Sequence, residues 1–214
     1  MKVGCLVNGT ENMEVWSNVA DALGIDGIDL TFATKEDYAF DADKINCILE
    51  NKRVELCAVS MFHENTLDAD SGKRKAAKEK NMRLIRFASD TGSRIAVINP
   101  GLLEGGSLEE NIEAFKDEFA FYKEYSEKLG VEMSYYLGHS PNFIKSEEAL
   151  EKVLLAVPDM HIKVDPVGVM RNMTGDPYRV VAKNAGRINH FHCKDIIRLD
   201  GYEIEPPVGM GDLR

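Results

Sequence analysis

Seven short apolar runs, most of them followed by an amphipathic helical stretch, predict an α/β fold of repeated βα units around a parallel sheet. Two further observations narrow it to a (β/α)8 barrel of the TIM type, one that stops after its seventh strand. Polar residues gather at the C-terminal ends of the strands (Asn8, His63, Asn99, Tyr136, Asp165 and His192), where such barrels keep their chemistry. No Gly-x-Gly-x-x-Gly follows an early strand, which argues against a dinucleotide-binding doubly wound sheet.

The first strand, Val3–Val7, ends at Asn8-Gly9 and leads into a helix with Met13, Trp16, Ala20 and Leu23 on one face, closed by Gly24. In the second strand, Gly27–Leu30, Asp29 faces away from Ile28 and Leu30 and reads as a hydrogen-bond acceptor on the barrel floor. Asp43–Lys52 is helical through Ile45, Ile48 and Leu49. In the third strand, Glu55–Phe62, Leu56, Ala58, Ser60 and Phe62 alternate against Cys57, Val59 and Met61, and His63-Glu64-Asn65 follows. A long helix over Gly72–Thr91 carries Ala77, Leu84 and Ala88, and Arg94–Asn99 is a strand stopped by Pro100-Gly101.

The next helix opens with Ser107 and Glu110 in capping-box spacing and ends at Gly130. Its stripe of Leu108, Ile112, Phe115, Phe119 and Tyr122 is the clearest amphipathic signal in the chain. Phe115, Phe119 and Trp16 are expected in the core. Strand Val131–Tyr136, helix Glu147–Val157, strand Met160–Asp165, a short helix Pro177–Asn184 and strand Ile188–Cys193 complete the pattern. Residues 1–214 thus read as a single domain lacking the last βα unit. Strands one and seven are expected to keep bare edges, which favours a homo-oligomer.

The net charge of −10 argues against a nucleic-acid backbone as partner, and the basic cluster from Lys73 to Lys80 reads as a solvated helix face. No run approaches a signal peptide or a membrane span, so a cytoplasmic location without membrane contact is expected. Cys5, Cys47, Cys57 and Cys193 form no Cys-x-x-Cys pair. They are expected to be reduced, those in strands acting as small buried apolar residues.

Alternation along Arg187–Asp195 sends His190, His192 and Lys194 to one face and Phe191 and Cys193 to an opposite, packing face. The two histidines are either pocket groups or ordinary residues of a half-exposed edge strand. The matching strand-end position of Asp165 favours the pocket.

These residues together resemble the xylose-isomerase-like TIM barrels, the sugar phosphate isomerase/epimerase superfamily that also contains endonuclease IV. The resemblance is carried by His190-Phe191-His192-Cys193-Lys194-Asp195, similar to H-x-H-x-K-D, and by Pro207-Val208-Gly209-Met210-Gly211-Asp212, similar to P-x-G-x-G-D. His63-Glu64-Asn65, Asn99-Pro100-Gly101 and Val164-Asp165-Pro166 support it. It implies one divalent cation (Mn, Mg or Co) held by a Glu on strand five, an Asp on strand six, a His on strand seven and a Glu on strand eight. The glutamates would move a proton beside a metal-polarised carbonyl.

On this chain the resemblance puts metal ligands at Asp165 and His192, but Tyr136 occupies the usual strand-five Glu position and Gly168 replaces the His of D-P-x-H. No counterpart of the strand-eight Glu precedes Arg214. The divalent site is therefore expected to be weak or absent, with His139 as a candidate third ligand. A phenol, with a reference pKa of about 10, cannot stand in for a carboxylate base. His63, Asn65, His190 and Lys194 are candidate substrate contacts. Lys194 is also a catalytic candidate, or else a salt-bridge partner of Asp165 or Asp195. The implied activity is a sugar or sugar-phosphate isomerase or epimerase, of aldose–ketose or C3 type, with a degenerate metal site. The alternative is a non-catalytic carbohydrate- or polyol-binding barrel. An endonuclease-like reading would need a larger metal cluster and suits an acidic chain poorly.

Overall fold

The computed structural model describes residues 2–33 and 40–213. Its sheet holds β1 (Gly4–Asn8), β2 (Gly27–Phe32), β3 (Glu55–Met61), β4 (Ile95–Ile98), β5 (Glu132–Tyr136), β6 (Ile162–Val164) and β7 (Ile188–Phe191). These strands lie side by side in chain order and every pairing is parallel, giving a curled half-barrel. Among the described residues no strand pairs with the outer edge of β1 or of β7.

The helices are α1 (Met13–Leu23), α2 (Ala42–Leu49), α3 (Ser71–Asp90), α4 (Leu108–Glu127), α5 (Glu147–Ala156), α6 (Pro166–Asn172) and α7 (Pro177–Asn184). Helix α4 begins where the sequence places it: the Ser107 hydroxyl accepts from the Glu110 N–H, and the Glu110 carboxylate accepts from the Ser107 N–H at 2.8 Å. Its apolar stripe packs Phe115 and Phe119 on Tyr135, with ring centroids 5.2 and 5.8 Å apart. Tyr135, Ile28, Leu30 and Phe32 face the helices and are buried there. The opposite sheet face, the barrel interior, carries Asp29, Ser60, Ser134, Lys163 and His190, all polar; only His190 keeps partial exposure.

Four expectations need correction. Trp16 is not in the core but 46% exposed, beside exposed Val15, Val19 and Leu23. Helix α1 buries Met13, Ser17 and Ala20 on the sheet, and no described element lies beyond the β1 edge to cover its flank. Phe191 is likewise half-exposed, because β7 is the other edge. Cys193 is exposed, and Cys5 and Cys57 are only partly buried; all the cysteines are free thiols. Finally, two elements go beyond the predicted pattern: α6 directly after β6, and an antiparallel hairpin of β8 (Ile197–Leu199) and β9 (Tyr202–Ile204). No helix among the described residues is long and apolar enough to cross a membrane.

Candidate functional site

The interior polar face converges on Asp29. Its Oδ2 accepts from His190 Nε2 at 2.8 Å and from His192 Nε2 at 2.7 Å, while Oδ1 accepts from Ser60 Oγ at 2.9 Å. Strand β2 is thereby tied by side chains to β7, at the far side of the sheet. Burial alone would raise the Asp29 pKa, but the two histidine hydrogen bonds and the charge of Lys163 hold it well below the usual carboxylate range. Register shifts fall between Ile28 and Asp29 on β2 and between Ile162 and Lys163 on β6. Such irregularities re-aim side chains, and both lie beside residues of this cluster.

Lys163 is fully buried. Its ammonium has no hydrogen-bond partner and sits 3.9 Å from the centroid of the Tyr136 ring. Burial lowers its pKa to about 8, against the charges of Asp29 and Asp165 that favour the ammonium. Burial also pushes the Tyr136 phenol well above its ordinary value, so Tyr136 is a neutral wall and not a base.

Asp165 and His192 stand next to each other at the ends of β6 and β7, with Oδ2 and Nδ1 3.9 Å apart. Asp165 is the N-cap of α6: its Oδ1 accepts from the Gly168 N–H at 3.0 Å. Burial opposes its ionisation, but that hydrogen bond and the charge of Lys194 keep its pKa low. Burial lowers the His192 pKa despite the Asp29 hydrogen bond, so the ring is neutral near pH 7. Lys194 reaches Asp165 Oδ2 at 3.2 Å and Glu205 Oε2 at 3.6 Å. Glu205 also pairs with Arg171 and is brought to the barrel mouth by the β8–β9 hairpin. Neither Lys163 nor Glu205 stood out in the sequence. Lys163 could have been found by parity, two residues before Asp165 on the same strand; Glu205 carries no motif.

His139 stacks edge-on against Tyr136 at 4.4 Å, and burial drives its pKa down to about 4. A Cβ on Gly168 would lie 3.6 Å from His139 Nε2, so this ring lies against the position where D-P-x-H carries its histidine. The groups after β3 have backbone partners. His63 Nε2 meets the Ala33 carbonyl, and the Asn65 side chain donates to Leu102 O at 2.9 Å and accepts from the N–H groups of Leu67 and Leu102. A groove lined by Lys123, Glu132, His161 and Arg187 among others flanks the N-terminal ends of the strands, away from this cluster.

The second motif has a structural account. Asp195 is buried, and its carboxylate accepts from the N–H groups of Ile196, Gly209, Gly211 and Leu213 at 2.8–3.0 Å, pinning the loop after β9. A Cβ on Gly211 would overlap that carboxylate and lie 2.7 Å from the Ile196 carbonyl oxygen. Gly211→Ala should therefore cost about 1–3 kcal/mol, as overpacking does. Limited proteolysis reads it as faster cleavage within residues 196–213.

The residues present do not fit the four-ligand divalent site that the resemblance implies. Only Asp165 and His192 match it, with no carboxylate at position 136. Asp165 Oδ1 caps α6, and its Oδ2, which like His139 Nε2 is buried without a hydrogen-bond partner, faces the Lys194 ammonium at 3.2 Å. Asp29, His190 and His192 do form a second grouping that could touch an ion, with one donor atom each within 4.8 Å of one another. Both rings already donate to the same Asp29 oxygen, however, and a buried ammonium acts on the same carboxylate.

The family model of the xylose isomerase-like TIM barrel matches residues 17–213. No curated protein matches the sequence. Among solved structures, L-ribulose 3-epimerase superposes with a TM-score of 0.74 at 14% identity, over 100% of this chain and 74% of that one. The D-psicose 3-epimerase of Clostridium cellulolyticum gives 0.71 at 13% identity, over 90% and 72%. An IolI protein solved with a zinc atom gives 0.74 at 14% identity, over 99% and 80%. At these identities the likeness is one of fold, and with the family match it establishes that this chain belongs to the xylose isomerase-like TIM barrel family.

Proposed function

We propose that this chain takes a sugar or sugar phosphate and interconverts isomers or epimers by moving a proton on the carbon beside the carbonyl, without the family's pair of glutamates. The observation that carries this reading is the meeting of Asp165, His192, Lys194 and Glu205 at the C-terminal mouth of the barrel, with Lys194 between the two carboxylates at 3.2 and 3.6 Å. A carboxylate beside a fixed cation suits proton transfer next to a carbonyl: the cation attracts the oxygen on which negative charge develops, and the carboxylate takes the proton and returns it to the neighbouring carbon of the enediolate. Epimerisation needs a water to deliver a proton from the opposite face. Glu205, 41% exposed, is the carboxylate a ligand can reach; Asp165, 1% exposed, holds Lys194 in place. The remaining polar atoms of His63 and Asn65 contact sugar hydroxyls from the loop after β3. His190 lies deeper and orients His192 through their shared partner Asp29.

A second reading, a barrel that binds a polyol without turning it over, is favoured by how little of Asp165 and His192 reaches solvent. The two readings separate in deuterium oxide. EDTA-treated protein incubated with a panel of ketoses, aldoses and their phosphates should wash deuterium into the carbon beside the carbonyl of at least one member, seen by proton NMR. Glu205→Gln should slow that exchange by about a hundredfold. Spectral shifts on ligand addition with no exchange for any member would establish the binding reading instead.

A further inference from the structure

We propose that the Lys163 ammonium takes the place of a divalent cation in this barrel, so that its interior carboxylates are balanced by a covalently attached charge and the site works without a metal. This holds whether the chain turns its ligand over or only binds it.

Three observations carry it. Lys163 and Tyr136 are direct partners on adjacent strands, and the ammonium lies 3.9 Å above the ring. Tyr136 stands at the strand-five position that the resemblance assigns to a ligating glutamate, so this position still faces a cation. The face of a ring suits a monovalent ammonium, whereas a dication requires oxygen or nitrogen donors. The tyrosine and the lysine therefore read as a matched pair.

The ammonium is also fully buried, with no hydrogen bond of its own. A charge in that position is tolerable only near opposite charges, and Asp29 and Asp165 supply them. They are the same carboxylates an ion would need, in either donor grouping of this chain. A dication there would sit beside Lys163, with Lys194 a second positive neighbour at 3.2 Å from Asp165. Like charges sharing two carboxylates in a dry interior repel strongly.

The test is calorimetric titration of Mn²⁺ and Zn²⁺ into EDTA-treated full-length protein, as wild type, Tyr136→Glu, and Lys163→Met with Tyr136→Glu. Wild type should take up less than one equivalent at about 100 µM metal. Tyr136→Glu alone should improve binding by no more than about threefold, and the double variant by a further thirtyfold or so. Stoichiometric uptake by the wild type at micromolar metal, or equal affinity of single and double variants, overturns the proposal. If a variant fails to fold, the wild type still decides. Its thermal midpoint should be the same within about a degree in EDTA and in millimolar Mn²⁺ or Zn²⁺, whereas tight binding would raise it by several degrees.

Discussion

Alanine in place of Asp29 should destabilise the chain by about 3–5 kcal/mol, measured as a shift of the urea midpoint. Three side-chain donors lose their acceptor at once: His190, His192 and Ser60. All three are wholly or largely buried, so water replaces the carboxylate poorly. The buried ammonium of Lys163 also loses one of the two negative charges that make its position tolerable. The location matters as much as the number of bonds. Strand β7 has no backbone partner on its outer side among the described residues, and Asp29 ties it directly to β2. Hydrogen exchange should therefore quicken first in residues 188–191, ahead of β3 and β4. Asp29→Asn keeps the shape and one acceptor oxygen but not the charge, and should fall between wild type and alanine. A loss below about 1 kcal/mol for the alanine variant would mean that backbone pairing to β6 alone holds β7 in place.

The fold was legible because its signals are local and repeated. Strand parity, the Ser107/Glu110 cap and the stripe through Phe115 and Phe119 each need only a window of some ten residues. That β1 and β7 are the sheet's edges among the described residues followed from counting strands. The hairpin was written in the sequence too: Asp200-Gly201 lies between Ile197-Arg198-Leu199 and Tyr202-Glu203-Ile204, and both turn residues have positive φ. It is easily passed over where a barrel leads one to expect another helix. Trp16 shows the limit of periodicity, which identifies an apolar face but not whether anything lies opposite it. The site was half legible. Asp165 and His192 come from motifs, whereas Asp29 reaches His192 only because the sheet curls across more than 160 residues of sequence, and Glu205 reaches Lys194 only because a hairpin folds back over the mouth. Long-range closure of that kind leaves no trace in spacing.

Lys163 should give the stability of this chain an unusual alkaline limb. Its folded pKa is about 8, below the ordinary lysine value of about 10.4. Between these values the unfolded chain holds a proton that the folded chain has released, so stability from this group rises with pH. The slope is at most about 1.4 kcal/mol per pH unit, and the whole contribution is on the order of 3 kcal/mol. Below pH 8 both states are charged, and the full penalty of burying the ammonium is present. Other groups pull the opposite way. The Cys57 thiol is pushed up to about 12 by burial, so above pH 9 the unfolded chain ionises first and stability falls. Buried Tyr122, Tyr135 and Tyr136 act in the same direction above pH 10. Measuring wild type and Lys163→Met side by side cancels these terms. The wild type should gain on the variant between pH 8 and 10, a window above the range in which Asp29, His139 and His192, whose pKa values the Lys163 charge lowers, titrate. A variant that tracks the wild type across the whole range would mean that Lys163 meets water in solution and that its charge is not held inside the barrel.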